Sequence, residues 1–247
     1  MKVTKVRNKR VFLALLVVIF LISGCKIWLP WGKKTDMPRS TPEGLYQQAL
    51  LDYQSGDYKR AIELFQRVKE EYPLSPLAIA AELGVADAYF SGKQYIEAEL
   101  VYSEFLNLHP TNENLPYVMY QIGMCHFNEI TTIDRDQSET VRALKEFERL
   151  MARFPSSKFS FMAEKMIREC KRKLGEQEFY VGEFYFNIKE YAAALRRFEK
   201  IIRDYPNVGL DYKVSFFIAE SRRRLAEGKE KDRSMDTIVA PARRGLY

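Results

Sequence analysis

The stretch Ser55-Gly56-Asp57-Tyr58-Lys59-Arg60-Ala61-Ile62-Glu63-Leu64-Phe65-Gln66-Arg67-Val68-Lys69-Glu70-Glu71-Tyr72-Pro73 contains a turn, an amphipathic helix and a stop. Ser55, Gly56 and Asp57 are turn formers, and Ala61 and Phe65 fall one helical turn apart on one face. Pro73 closes the segment, because proline cannot continue the hydrogen-bond ladder and biases the residue before it away from helix.

The same plan recurs three more times. Tyr72-Pro73 is followed by His109-Pro110, Phe154-Pro155 and Tyr205-Pro206, each after an alanine and an aromatic four apart: Ala61/Phe65, Ala98/Tyr102, Ala143/Phe147 and Ala194/Phe198. In all four the proline lies 12 residues after the alanine. The preceding helices carry Ala49, Ala86, Gly123 and Gly182 at the position where paired helices approach closely, with Tyr89 and Tyr185 three residues on. The turns Ser91-Gly92-Lys93-Gln94-Tyr95 and Asn187-Ile188-Lys189-Glu190-Tyr191 match the first. This is the tetratricopeptide (TPR) pattern of helix pairs, and four matches at one spacing make it a strong signal.

The spacing of the prolines is uneven, at 37, 45 and 51 residues, against about 34 for a plain repeat. The 45 implies an inserted loop, Glu129 to Glu139, holding Asp134-Arg135-Asp136. The 51 leaves room for an extra helix, Phe159 to Leu174, and a last helix is expected over Tyr212 to Glu227. The expected fold is therefore all-α: a TPR superhelix over 43–228 of about ten helices in five pairs, whose concave groove suits extended or helical protein segments. Residues 229–247, mixed in charge and containing Pro241, read as a disordered tail.

Upstream, Lys2, Lys5, Arg7, Lys9 and Arg10 precede the apolar run Val11 to Ile22 and then Ser23-Gly24-Cys25. The run has 12 residues, whereas a spanning helix needs about 20. A basic start, a short apolar middle and small residues describe an export signal. Its ending resembles a lipobox, with 1–24 removed and Cys25 acylated. An uncleaved anchor, or an ordinary signal with an incidental cysteine, is the plainer alternative. Residues 25–42, with Trp28, Pro30, Trp31, Pro38 and Pro42, read as a flexible tether. Its tryptophans suit either the lipid headgroups or the surface of the folded domain.

The formal charge of +6 belongs largely to that signal. Five basic and no acidic residues leave with it, so the remainder has 34 basic against 33 acidic residues. Nucleic acid is thereby disfavoured as a partner.

Cys125 and Cys170 admit a disulfide, but two buried thiols are the simpler reading for residues on separate helices. Cys125-His126 invites a nucleophile, yet adjacent helical residues point about 100° apart. No zinc motif, phosphate loop or complete calcium loop is present, and Asp134 and Asp136 lack the glycine and terminal glutamate of the last. Neither a catalytic residue nor a metal or cofactor site is expected.

From Tyr72 to Pro206 the chain resembles the BamD family, TPR lipoproteins of the outer-membrane β-barrel assembly machinery. The resemblance rests on Tyr72-Pro73 with Pro76, Ala88-Tyr89-Phe90, Pro110-Thr111, Asn114, and the specific block Tyr117-Val118-Met119-Tyr120. Gly123, Asp134-Arg135-Asp136, Phe154-Pro155 with Ser157, the block Glu178 to Tyr185 and Arg203-Asp204-Tyr205-Pro206 extend it. It implies a palmitate-type anchor at Cys25 in the outer membrane, on the periplasmic face, and Lys26, not an aspartate, agrees with outer-membrane sorting. It implies docking on a periplasmic domain of BamA, with Arg197 at the family's contact arginine, beside Arg196, and with Asp134, Arg135 and Asp136 as further candidates. It also implies recognition of a C-terminal targeting strand of unfolded outer-membrane proteins by the N-terminal repeats, for which Tyr117 and Tyr120 are candidates; other assembly lipoproteins are candidate further partners that could equally differ or be absent. The loop before Asp134 is shorter than in familiar members, and the basic tail has no recognised counterpart. Two other readings stay open: a TPR lipoprotein for cell division or peptidoglycan synthesis, and a periplasmic enzyme using Cys125 or Cys170.

Overall fold

Four helices of the chain end in one conformation. Tyr72, His109, Phe154 and Tyr205 cap them with φ between −122° and −134° and ψ between 55° and 60°, and each cap N–H still reaches the carbonyl four residues back. The proline that follows each cap keeps that residue out of the helical region, so a repeated dipeptide becomes a repeated corner. The computed structural model describes residues 40–242, with side chains through 230. The signal 1–24, Cys25 and the tether as far as residue 39 lie outside the described residues.

Among the described residues the chain is all-helical. Helices α1 (Pro42–Ser55) and α2 (Tyr58–Glu71) form the first pair, α3 (Pro76–Ser91) and α4 (Tyr95–Leu108) the second, α5 (Leu115–Asn128) and α6 (Ser138–Arg153) the third. Helix α7 (Lys158–Asn187) is followed by α8 (Tyr191–Asp204) and α9 (Asp211–Ala242). Each helix packs on its neighbours in the chain, with added contacts of α1 to α3 and α5 to α7. That one-dimensional order is the TPR solenoid.

The repeat residues are its packing. Ala61, Ala98, Ala143 and Ala194 are fully buried, as are Tyr102, Phe147 and Phe198, with Phe65 close behind. The turn within the first pair needs a left-handed residue, which Gly56 supplies at φ +86°.

Two expectations need correction. The described residues form nine helices where ten were expected, because Phe159 to Leu174 and Glu178 to Tyr185 are one 30-residue helix, α7. The one glycine between them, Gly175, is not a turn. A Cβ there would lie 3.2 Å from Val208 Cγ2, so the glycine admits the loop that crosses beneath it. The segment after Gly228, expected to be disordered, continues α9 as helix to Ala242. Its Glu- and Lys-rich sequence is a good helix former, and one glycine costs only about 1 kcal/mol.

Candidate functional site

Two surfaces collect the polar residues that the repeat does not require. The first is a groove of about 510 Å³ in the N-terminal repeats. Tyr46 and Tyr53 of α1, Phe65 of α2, Ile79 and Asp87 of α3, and Tyr117 of α5 line it. Its floor is a hydrogen-bonded network drawn from three helices. The hydroxyls of Tyr102 and Tyr117 both donate to Asp87 Oδ1 at 2.5 Å. Gln121 Nε2 donates to the Tyr117 hydroxyl at 3.2 Å and to that of Tyr102 at 3.4 Å.

Burial pushes the Asp87 carboxyl above its ordinary range, while the two hydroxyls pull it back. The Tyr102 and Tyr117 phenols are pushed far up by burial and then by the Asp87 charge, so both remain donors. Tyr117 thus has its hydroxyl in the network and its ring on the groove wall, packed against Phe159 at 5.5 Å. Tyr120 packs at a tilt on Phe147 and Phe159 at 5.7 and 5.9 Å and is not among the residues that line the groove.

The second surface lies at the other end of the array. Glu178 of α7, only 6% exposed, accepts from Arg197 Nη1 at 3.0 Å and from Lys200 Nζ at 2.5 Å, both on α8. Arg196, Arg197, Lys200 and Arg203 line a basic depression of about 390 Å³. Lys200 also lines a neighbouring one of about 400 Å³ with Glu178, Gln177 and Asp136. Lys200 thus borders both the depression lined by Arg197 and the one lined by Asp136 of the Asp-Arg-Asp turn, residues about 60 apart in sequence.

The turn itself is organised from below. Buried Gln137 donates through Nε2 to the carbonyls of Thr132 and Arg135 and accepts from the Thr140 hydroxyl at 2.7 Å. Asp134, Arg135 and Asp136 remain exposed. The Thr132 hydroxyl, followed by its own backbone N–H, holds the Asp134 carboxyl below the usual range.

Cys125 and His126 line a smaller hollow, but they do not form an activated pair. Burial, then the charges of Glu99 and Glu129, pushes the Cys125 thiol up to about 12. His126 Nδ1 is bonded to Glu139 at 2.8 Å. A thiol held this far above its ordinary range is the reverse of a poised nucleophile. Cys170, equally buried, is also pushed up to about 12, and both are free thiols. Among the described residues no cluster of His, Cys, Asp or Glu is arranged to hold a metal ion, and no helix is long and apolar enough to cross a membrane.

Residues 38–237, which include both surfaces, match the family model of YfiO, an outer membrane lipoprotein. The chain belongs to the YfiO family. Among curated relatives, the outer membrane protein assembly factor BamD of Rickettsia prowazekii is 30% identical over 65% of the chain and 60% of the relative. That of Neisseria gonorrhoeae is 31% identical over 56% of each. The Xylella fastidiosa (strain 9a5c) protein of the same name is 25% identical over 93% of the chain and 82% of the relative. The match thus spans somewhat over half the length of the first two relatives. A solved tetratricopeptide repeat protein from Parabacteroides merdae aligns over 81% of the YfiO chain and 79% of its own, at 14% identity and a TM-score of 0.39.

Asp87, Gln121 and Glu178 were not singled out as site residues by the sequence. Asp87 meets its tyrosines across 15 and 30 residues, and Glu178 meets its cations across 19 and 22. Only helix packing brings such residues together. The one signal available was a carboxylate close to a buried small position, Asp87 beside Ala86 and Ala88.

Proposed function

We propose that this YfiO-family chain is a non-enzymatic scaffold and substrate receptor in the assembly of β-barrel proteins into the bacterial outer membrane. It is held there by lipid at Cys25 and works on the periplasmic side. The observation that carries this reading is the open, tyrosine-walled groove in the N-terminal repeats of an outer membrane lipoprotein, a cavity that the protein's own side chains leave unfilled. The curated relatives bear the name outer membrane protein assembly factor. In this reading the groove receives extended segments of unfolded outer-membrane proteins, with Tyr117 at its wall and Tyr120 packed on Phe159, the ring that Tyr117 also contacts. The surface at the other end of the array docks on a periplasmic domain of BamA through Arg196, Arg197 and the exposed Asp134-Arg135-Asp136 turn, with other assembly lipoproteins joining the complex.

Affinity purification of the tagged lipoprotein from its own membranes tests the assignment. BamA is the expected co-purifying protein, and a partner set without it would sink the proposal. Arg197→Gln is the informative variant for the docking face. A glutamate at this position would set a second carboxylate against buried Glu178 and destabilise the array by itself. Glutamine keeps a donor for Glu178, while Lys200 keeps its charge partnered. The expected result is reduced BamA recovery with unchanged helicity. Full recovery would place the interface elsewhere.

A further inference from the structure

The groove floor carries a carboxylate that is half used. Asp87 Oδ1 accepts both tyrosine hydroxyls, whereas Oδ2 has no hydrogen bond among the described residues. It is not sealed in either, being absent from the fully enclosed atoms that lack a partner. The residues lining the groove include Asp87 as their single charge, with no lysine, arginine or histidine.

Around this charge the walls are aromatic. Tyr46 stands edge-on to Phe65 at 5.4 Å, and the Asp87 charge contributes to raising its phenol. Tyr53 has its hydroxyl tied to Ser91 Oγ at 2.8 Å, which fixes its ring at the groove. At the rim, the Asn114 side-chain amide makes no hydrogen bond among the described residues and is free to meet a peptide backbone.

A half-buried carboxylate without a cation is costly, and electron-rich aromatic rings lining the same groove favour positive charge. We infer that the groove is specific for a lysine or arginine side chain carried on an extended protein segment, its cationic head meeting Asp87 Oδ2 between Tyr46, Tyr53 and Tyr117 and its aliphatic stem lying against Ile79 and Phe65. This rests on the receptor reading above and adds a specificity to it. The same geometry disfavours a carboxylate, whether a glutamate or a chain terminus, because no lining residue carries positive charge to receive it.

The test uses the purified full-length lipoprotein in detergent and fluorescein-labelled nonapeptides of alternating threonine and valine. The central residue is lysine, norleucine or glutamate, and binding is read by anisotropy. The lysine peptide should bind on the order of tenfold more tightly than the norleucine peptide, and the glutamate peptide most weakly. Asp87→Asn retains an acceptor for both tyrosine hydroxyls and removes the charge, so the lysine preference should fall to within about twofold. Ile79→Lys, at a position 39% exposed, supplies a resident cation without disturbing the core and should abolish the preference even if the Asp87 variant were to fold poorly. Equal binding of lysine and norleucine peptides, or a preference that survives both variants, overturns the cation assignment while leaving the groove a peptide site. Failure of all three peptides to bind overturns the receptor reading of the groove and the assignment with it.

Discussion

Gly123 decides how tightly the third helix pair closes, and adding one methyl group there tests the packing account of the whole array. In Gly123→Ala the new Cβ would lie 2.6 Å from Phe147 Cε1 and 2.8 Å from Cδ1, against the 3.5 Å or so at which carbon atoms rest in contact. Two effects oppose each other. Alanine favours a helix over glycine by about 1 kcal/mol. Forcing an extra carbon into a packed core costs about 1–3 kcal/mol. Phe147 has no exposed surface and is ringed by core, so it has no direction of retreat. Overpacking should therefore outweigh helix propensity, with a net loss of about 1 kcal/mol.

Gly84→Ala repeats the experiment in the first two helix pairs, where the new Cβ would meet the Phe65 ring at 2.8 Å and Phe65 is itself only 1% exposed, so a loss of similar size, about 1 kcal/mol, is expected. Urea denaturation followed by circular dichroism reads both variants, and Gly123→Ala combined with Phe147→Leu should recover most of the loss. A Gly123→Ala protein more stable than the parent would refute the close-packing account and leave helix propensity in control.

Two further outcomes follow from the buried titrating groups. With Cys25 replaced by serine, neither Cys125 nor Cys170 should react with a thiol reagent in the native protein at pH 8, and both should react in guanidinium. Rapid native labelling would contradict their burial and reopen a nucleophilic reading. Asp87 has its folded pKa raised, so it holds its proton more tightly folded than unfolded, and its effect on stability turns unfavourable as pH rises from about 4 through that raised value. The stability difference between Asp87→Asn and the parent should therefore grow in favour of the variant from about pH 4 towards neutrality; a difference that is constant or shrinks over that window contradicts the burial of this charge.

The repeat was legible because its residues are also its geometry. Ala61 and Phe65 are read as one helical face in the sequence and lie in the core of the fold, and each aromatic-proline pair fixes a corner. The extra length between the third and fourth corners was visible as well, but not its form. The extra helix was expected to end at Leu174, just before Gly175, and only the loop carrying Val208, more than 30 residues on, explains why a side chain is excluded at that glycine. The groove and the Glu178 cluster were hidden for the same reason. Asp87 is one more charged residue on an ordinary helix until three helices set Tyr102 and Tyr117 against it. Arg197 stood out through family resemblance, whereas its partner Glu178, at the head of the block Glu178 to Tyr185, gave no sign of its own.

Helix α7 has a consequence for how the two working faces are phased. Elsewhere in the array a turn separates successive helices and absorbs small changes in length. Here about 45 Å of unbroken helix belongs to two repeats at once, packing on α6 and α5 near its start and on α8 towards its end. One residue inserted into its middle would not lengthen a loop; it would turn everything beyond it by about 100°. The contribution of α7 to the angle between the groove and the basic face is thus set by its residue count, as the register of a screw is set by its thread.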